Sequence, residues 1–173
     1  WKSPERLSSI LAAIGVLYSL KIDPVGIEHL FKTLELPDGR GNRHEIAGIT
    51  VIDDSYNANP ASMKMALTSL HQRESYGRSF ALLGEMQELG SITEVAHSEV
   101  ADAARGLDKV FTFGAGFEAS IIGEHYVSTD DFDLVEFAQD LRPGDTVLVK
   151  GSNKIFWKKQ FVPELLTALK DSY

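Results

Sequence analysis

Beyond residue 42 the chain alternates short apolar runs with amphipathic helical stripes, and no other feature of the sequence restricts the fold as much. The runs Gly48–Asp53, Phe80–Leu83, Lys109–Phe113, His125–Val127 and Thr146–Val149 have strand length. Between and after them lie positions spaced by three and four: Met63, Ala66, Leu67 and Leu70; Val95, Ala96, Val100, Ala103 and Ala104; Leu134, Phe137, Ala138 and Leu141; Phe161, Leu165, Ala168 and Leu169. A shorter helix is predicted around Glu118–Ile122. Asn59-Pro60 reads as a cap and first turn, and Ser91 with Glu94 as a capping box. Strands that alternate with helices give βαβ units, whose parallel sheet must be covered on both faces. The prediction is an α/β, Rossmann-like three-layer domain with a mostly parallel sheet.

Two helices precede it. Leu7, Ile10, Leu11, Ile14, Leu17 and Tyr18 share one helical face, and Asp23-Pro24 opens a second stripe of Ile27, Leu30, Phe31 and Leu34. Pro37 to Asn42, with two glycines and a proline in six residues, reads as a loop or domain boundary.

Composition removes several function classes. With no cysteine in 173 residues, disulfides and thiolate chemistry are excluded. The net charge of −8 argues against a nucleic-acid partner, which needs a basic surface. No apolar run approaches the roughly 20 residues of a membrane span, and the start has no signal-peptide pattern. The expectation is a soluble cytoplasmic protein. The five histidines show no metal-ligand spacing, so no metal site is expected.

Ligands of open α/β sheets gather beyond the carboxyl ends of the strands. After the first run comes Asp53-Asp54-Ser55-Tyr56-Asn57-Ala58-Asn59-Pro60. A carboxylate there can accept hydrogen bonds from ribose hydroxyls, and Tyr56 and the asparagines can flank a base; the same residues also build an ordinary capped turn. After the second run, Gly84-Glu85-Met86-Gln87-Glu88-Leu89-Gly90 presents Glu85 as a polar anchor or a solvated loop acid. His97 follows on the polar side of its helical stripe. Gly114-Ala115-Gly116-Phe117-Glu118-Ala119 matches a dinucleotide fingerprint but follows the third strand, so a tight turn is the better reading. Lys150-Gly151-Ser152-Asn153-Lys154 is either an anion site or a basic turn. No Walker A loop occurs in the chain.

The ordered set Asp53–Met63, Leu83–Gly90, His97 and Val149–Ser152 resembles the Mur ligase family. The resemblance implies residues 1–38 as the closing helices of a central ATPase domain and 39–173 as the C-terminal domain. It implies amide-bond formation driven by ATP with Mg2+, through an acyl phosphate on a UDP-N-acetylmuramoyl-tripeptide that the amine of D-alanyl-D-alanine attacks. By position it assigns Arg40, Asp54, Tyr56, Asn57 and Asn59 to the nucleotide, and Glu85, His97, Lys150 and Ser152 to the substrate. It places the P-loop, the metal ligands and the catalytic groups outside this stretch, which by itself should be inactive; a monomer is expected. Asn153–Lys159 departs from the family's small, Met-rich continuation. The alternatives are a related ligase of folylpolyglutamate or cyanophycin type, and a non-catalytic Rossmann-like binding module.

Overall fold

The structure, a computed structural model, describes residues 7–23, 25, 37–73 and 76–173. Its contacts divide the chain into two units, Trp1–Leu36 and Pro37–Tyr173. In the first, helix α1 spans Leu7–Ser19. Leu11 and Tyr18 on its stripe are exposed, whereas Ile10, Ile14 and Leu17 are partly covered. The amide of Val25 donates to Asp23 Oδ1 at 3.0 Å; the second predicted helix lies outside the described residues.

The second unit is a six-stranded sheet. Its strands are β1 (Asn42–Ile46), β2 (Ile49–Asp54), β3 (Ser79–Gly84), β4 (Lys109–Phe113), β5 (Glu124–Tyr126) and β6 (Thr146–Lys150), in spatial order β1-β2-β6-β3-β4-β5. All neighbours are parallel except β1 and β2. Strand β1 lies within the polar stretch NRHEI, where no apolar run marks a strand. It forms because Ala47 and Gly48 take positive φ (51° and 77°), the backbone of a tight two-residue hairpin that pairs Ile46 with Ile49.

Helices α2 (Pro60–His71) and α3 (Thr93–Ala103) cover one face, packing Met63, Leu67, Leu70, Ala96 and Val100 on Ala81, Leu83 and Leu148. Helices α4 (Leu134–Asp140) and α5 (Phe161–Ser172) cover the other, where seven phenylalanines from strands, loops and helices, among them Phe80, Phe113 and Phe156, join Leu141 and Leu165. The three layers are those the periodicity predicts. Burying the aromatic side chains and their edge-to-face contacts supplies much of this core's cohesion.

Three local expectations are corrected. Ser91 and Glu94 form no capping box: the chain enters α3 through a 3-10 turn at Gly90–Ile92, the cap residue Ile92 has no side-chain bond, and Thr93 Oγ1 donates to Gly90 O. The helix expected at Glu118–Ile122 is replaced by a 3-10 turn at Ala115–Phe117, because Gly114 (φ 94°) and the fully buried Phe117 tighten the chain before another helical turn can form. Asn42 belongs to β1 rather than to the preceding loop.

Candidate functional site

Strand β6 sits between β2 and β3, so the loops after all three converge at one end of the sheet. Register pairs Asp54, the last residue of β2, with Lys150, the last of β6. Neighbouring parallel strands send paired side chains to the same face, and Lys150 Nζ accordingly donates to Asp54 Oδ2 at 2.6 Å and to Asn57 O at 3.2 Å. The lysine is 2% exposed, so its ammonium is committed inside the protein. A buried ammonium survives only when paired and hydrogen-bonded, and Asp54 with the Asn57 carbonyl meets that need.

The adjacent acid does something different. Asp53 is buried and its Oδ1 accepts from the Ser55 amide and hydroxyl, while its carbonyl accepts from Gly41 N. It shapes the turn, and Asp54 is left at the partly open rim. Asn59 caps α2: its Oδ1 accepts from Ser62 N at 2.9 Å and its amide donates to Ser62 Oγ at 3.1 Å. The Asn57 side chain closes locally on Ala58 N at 2.9 Å. Tyr56 is gripped from two sides, by the Arg40 guanidinium 4.1 Å above its ring and by Trp157 edge-to-face at 5.5 Å.

Glu85 is the junction of the other two loops. Its Oε2 accepts from Gly116 N at 2.9 Å, its Oε1 from the Gln87 amide at 3.3 Å, and its carbonyl from Ser152 N at 3.1 Å. The fingerprint-like glycines exist for this contact. A Cβ on Gly114 would stand 2.7 Å from Glu85 Cγ, and one on Gly116 would stand 2.5 Å from His97 Nε2. The amide that a dinucleotide-binding turn offers to phosphate is here given to the protein's own carboxylate.

His97, placed by its spacing on the polar side of α3, is instead completely buried. Nε2 accepts from Met86 N at 2.9 Å, which puts the proton on Nδ1 and makes the 2.7 Å contact to Thr93 O a donation. The ring also stands edge-on to Phe117 at 4.6 Å. Both nitrogens are used, so His97 fixes the Glu85–Met86 backbone. The apolar stripe could not show this, because the amide that recruits the ring comes from a loop eleven residues earlier. Ser152 is 3% exposed, and its hydroxyl has no hydrogen-bond partner.

The structure thus brings Arg40, Asp54, Tyr56 and Asn57 to one rim, where Lys150 holds Asp54 and the Asn57 carbonyl, and Glu85 and Ser152 to an adjoining one, where the Ser152 amide donates to the Glu85 carbonyl. Asn59 and His97 lie behind them as supports. Sequence reasoning missed Trp157, because its partner Tyr56 comes from a loop far away in the chain. No group of three or more histidine or acidic side chains able to hold a metal occurs among the described residues.

A mostly parallel α/β sheet with polar loops at its carboxyl edge is a form in which ligands bind beyond the strand ends. Residues 39–153 match the glutamate ligase domain of the Mur ligases, and the chain belongs to the Mur ligase family. It is 37% identical over 135 residues to UDP-N-acetylmuramoyl-tripeptide–D-alanyl-D-alanine ligase of Mycobacterium tuberculosis, covering 61% of this chain and 26% of that protein. The enzyme of the same name from Bacillus subtilis is 33% identical over 117 residues, with the same shares of 61% and 26%. The crystal structure of MurF ligase from Thermotoga maritima in complex with ADP superposes with a TM-score of 0.75 at 25% identity, over 99% of this chain and 39% of that one. The chain therefore spans about a quarter of the length of these curated relatives.

Proposed function

We propose that this chain is the C-terminal domain of an ATP-dependent ligase that joins D-alanyl-D-alanine to a UDP-N-acetylmuramoyl-tripeptide, in the cytoplasmic synthesis of peptidoglycan precursor. The observation that carries the reading is the Lys150–Asp54 pair. It ties a turn suited to a nucleotide to a loop suited to a carboxylate, at the edge where open α/β sheets bind ligands. The shared name of the two curated relatives and the ADP complex of the structural relative favour this reading over a folylpolyglutamate- or cyanophycin-type ligase and over a bare binding module.

In this reading Asp54 presents Oδ1 to the ribose hydroxyls while Lys150 holds Oδ2. Tyr56 and Asn57 flank the adenine, and Arg40 reaches the phosphates. The Ser152 hydroxyl donates to the dipeptide carboxylate, and Glu85 lies beside it as a polar anchor for the same substrate. Lys150, His97 and Asn59 hold these groups in place without touching a ligand. The γ-phosphoryl group passes to the tripeptide's terminal carboxylate and ADP leaves. The dipeptide amine then attacks the acyl carbon, and phosphate departs as the amide forms. Charge that builds on phosphoryl oxygens is stabilised by a cation already in position, which is Arg40's part. Residues 1–38 belong, on this reading, to the central domain, which with the rest of a monomeric protein supplies the P-loop and the Mg2+ ligands.

The test is phosphate release by the full-length protein with ATP, Mg2+, tripeptide precursor and D-alanyl-D-alanine. Release should require the dipeptide, and Asp54→Asn should raise the KM for ATP by about tenfold, one charge-assisted hydrogen bond's worth. Release that ignores the dipeptide would sink the assignment.

A further inference from the structure

The segment Asn153–Lys159 lies between β6 and α5 and is held by two anchors. Phe156 is completely buried against Phe113 and Phe161, at ring separations of 5.2 and 5.0 Å. Lys159 Nζ bonds Asp130 Oδ2 at 2.7 Å and Ser128 Oγ at 3.1 Å. Between these anchors stands Trp157, whose carbonyl accepts from Gln160 N.

Its indole does two things at once. It meets the Tyr56 ring edge-to-face, at an interplanar angle of 70°. It also packs close against the backbone before Arg40: a Cβ on Gly39 would come within 2.8 Å of Trp157 Cε3 and 3.0 Å of Tyr56 N. Gly39, at φ 70°, passes its carbonyl to Tyr56 N at 3.0 Å. Arg40 then folds back over the face of Tyr56, 4.1 Å from the ring centre. Arginine, tyrosine and tryptophan thus form one cluster, with the guanidinium on the face of Tyr56 and the indole edge-on to it, and Trp157 comes from a loop that the sequence places far from the other two.

We propose that Trp157 is a positioning residue for the nucleotide, presetting Tyr56 and Arg40 in the orientation in which they meet base and phosphate. The inference rests on the nucleotide reading above. An aromatic ring held by an edge-to-face partner and capped by a guanidinium loses little freedom when a ligand arrives, which lowers the entropic cost of binding. Trp157 touches no reacting atom, so its effect falls on ATP affinity rather than on the chemical step.

The experiment is steady-state kinetics of the full-length ligase carrying Trp157→Leu, Trp157→Phe, Arg40→Ala, Tyr56→Leu and the Trp157→Leu/Tyr56→Leu pair. Trp157→Leu should raise the KM for ATP by about fivefold, the scale of one edge-to-face aromatic contact. Its kcat and its KM for the dipeptide should stay within about twofold of wild type, and Trp157→Phe should restore the ATP value. In the Tyr56→Leu background the Trp157 substitution should add less than about twofold, because its partner is already gone. A wild-type KM for ATP in Trp157→Leu, a phenylalanine variant as impaired as the leucine one, or full additivity in the pair would overturn the proposal. Arg40→Ala separates the two levels. If it leaves the KM for ATP unchanged, the nucleotide site is misplaced and the underlying reading fails; if it raises that KM while Trp157→Leu does not, the Trp157 inference alone falls.

Discussion

The two ends of the sheet carry the same kind of chemistry and use it differently. At the amino end Asp145, 2% exposed, is saturated. Its Oδ1 accepts from Arg78 N, and its Oδ2 from the Arg78 guanidinium at 2.8 and 3.2 Å and from Arg142 N at 2.9 Å. Arg78 reaches on to Asp140, which Lys109 also holds at 3.0 Å. Those bonds raise the affinity of Arg78 for its proton, the hydrogen bond to Asp145 contributing most. At the carboxyl end the bonds stop short of saturation: Lys150 takes one oxygen of Asp54, and Ser152 keeps its hydroxyl in reserve. A buried unpartnered hydroxyl is not by itself the mark of a site, since Thr146 Oγ1 at the start of β6 is another. What distinguishes Ser152 is its place beyond a strand end, beside Glu85 and next but one to a buried cation. A buried carboxylate held by four donors fixes the fold; a cluster with a carboxylate oxygen and a hydroxyl left over can receive a ligand.

The largest effect expected from this contrast is at the saturated end. Asp145→Ala strips Arg78 and two backbone amides of their acceptor, and breaking a buried pair from one side costs about 3 kcal/mol or more. Urea unfolding of the chain should show the midpoint falling accordingly, while the folded fraction of the full-length protein keeps its KM values. An Asp145→Ala protein with normal stability and altered KM values would erase the distinction between the two ends.

Much of this arrangement was legible in the sequence, and the exceptions share a cause. Five strands and the helices of both faces follow from periodicity, since burying each apolar stripe is a local demand. Strand β1 was invisible because NRHEI lies at the sheet's edge and needs no apolar run; its hairpin is set by two positive-φ residues, Ala47 and Gly48. Asp54, Tyr56 and Ser152 could be picked out as polar residues at strand ends. The bond from Lys150 to Asp54 could not, because it depends on β6 inserting beside β2, and chain order does not reveal strand order. The role of His97 was hidden in the same way: a polar spacing on a helix is read as exposed unless one knows that a loop amide comes to meet it.

The intermediate effect belongs to the unsaturated end and reverses the balance between stability and function. Removing a buried hydroxyl that bonds nothing costs the fold little, since no partner is stranded; Ser152→Ala should leave the unfolding free energy within about 0.5 kcal/mol of wild type. On the ligase reading proposed above, the same change should raise the KM for D-alanyl-D-alanine by about tenfold and leave that for ATP unchanged, because a hydrogen bond to a charged ligand is worth about 1.5 kcal/mol or more. Kinetics beside urea unfolding on one preparation would read both. A large stability loss without a change in KM would move Ser152 into the structural class.

The smallest effect tests whether the saturated network reaches the surface. Asp140 titrates below the ordinary carboxylate range because Lys109 hydrogen-bonds it and the charge of Arg78 lies beside it. A carboxylate depressed in the folded state binds fewer protons there than in the unfolded chain, so stability rises with pH through that window. The contribution is complete above the unfolded aspartate value of about 3.9 and is lost as pH falls through the lower folded value. Asp140 is 38% exposed and Lys109 45%, so solvent screening keeps the gain under about 1 kcal/mol. Urea unfolding of wild type and Asp140→Asn at a series of pH values should therefore give two curves with a constant small gap from about pH 5 upward. The gap should begin to narrow below about pH 4 and vanish as the pH falls through the depressed folded value. It should also shrink with added salt, as an exposed pair requires and the buried Asp145 contacts do not. A gap that stays the same size at every acid pH and in high salt would show that Asp140 acts through packing rather than charge, and the boundary between the fold's saturated network and its surface would have to be drawn further out.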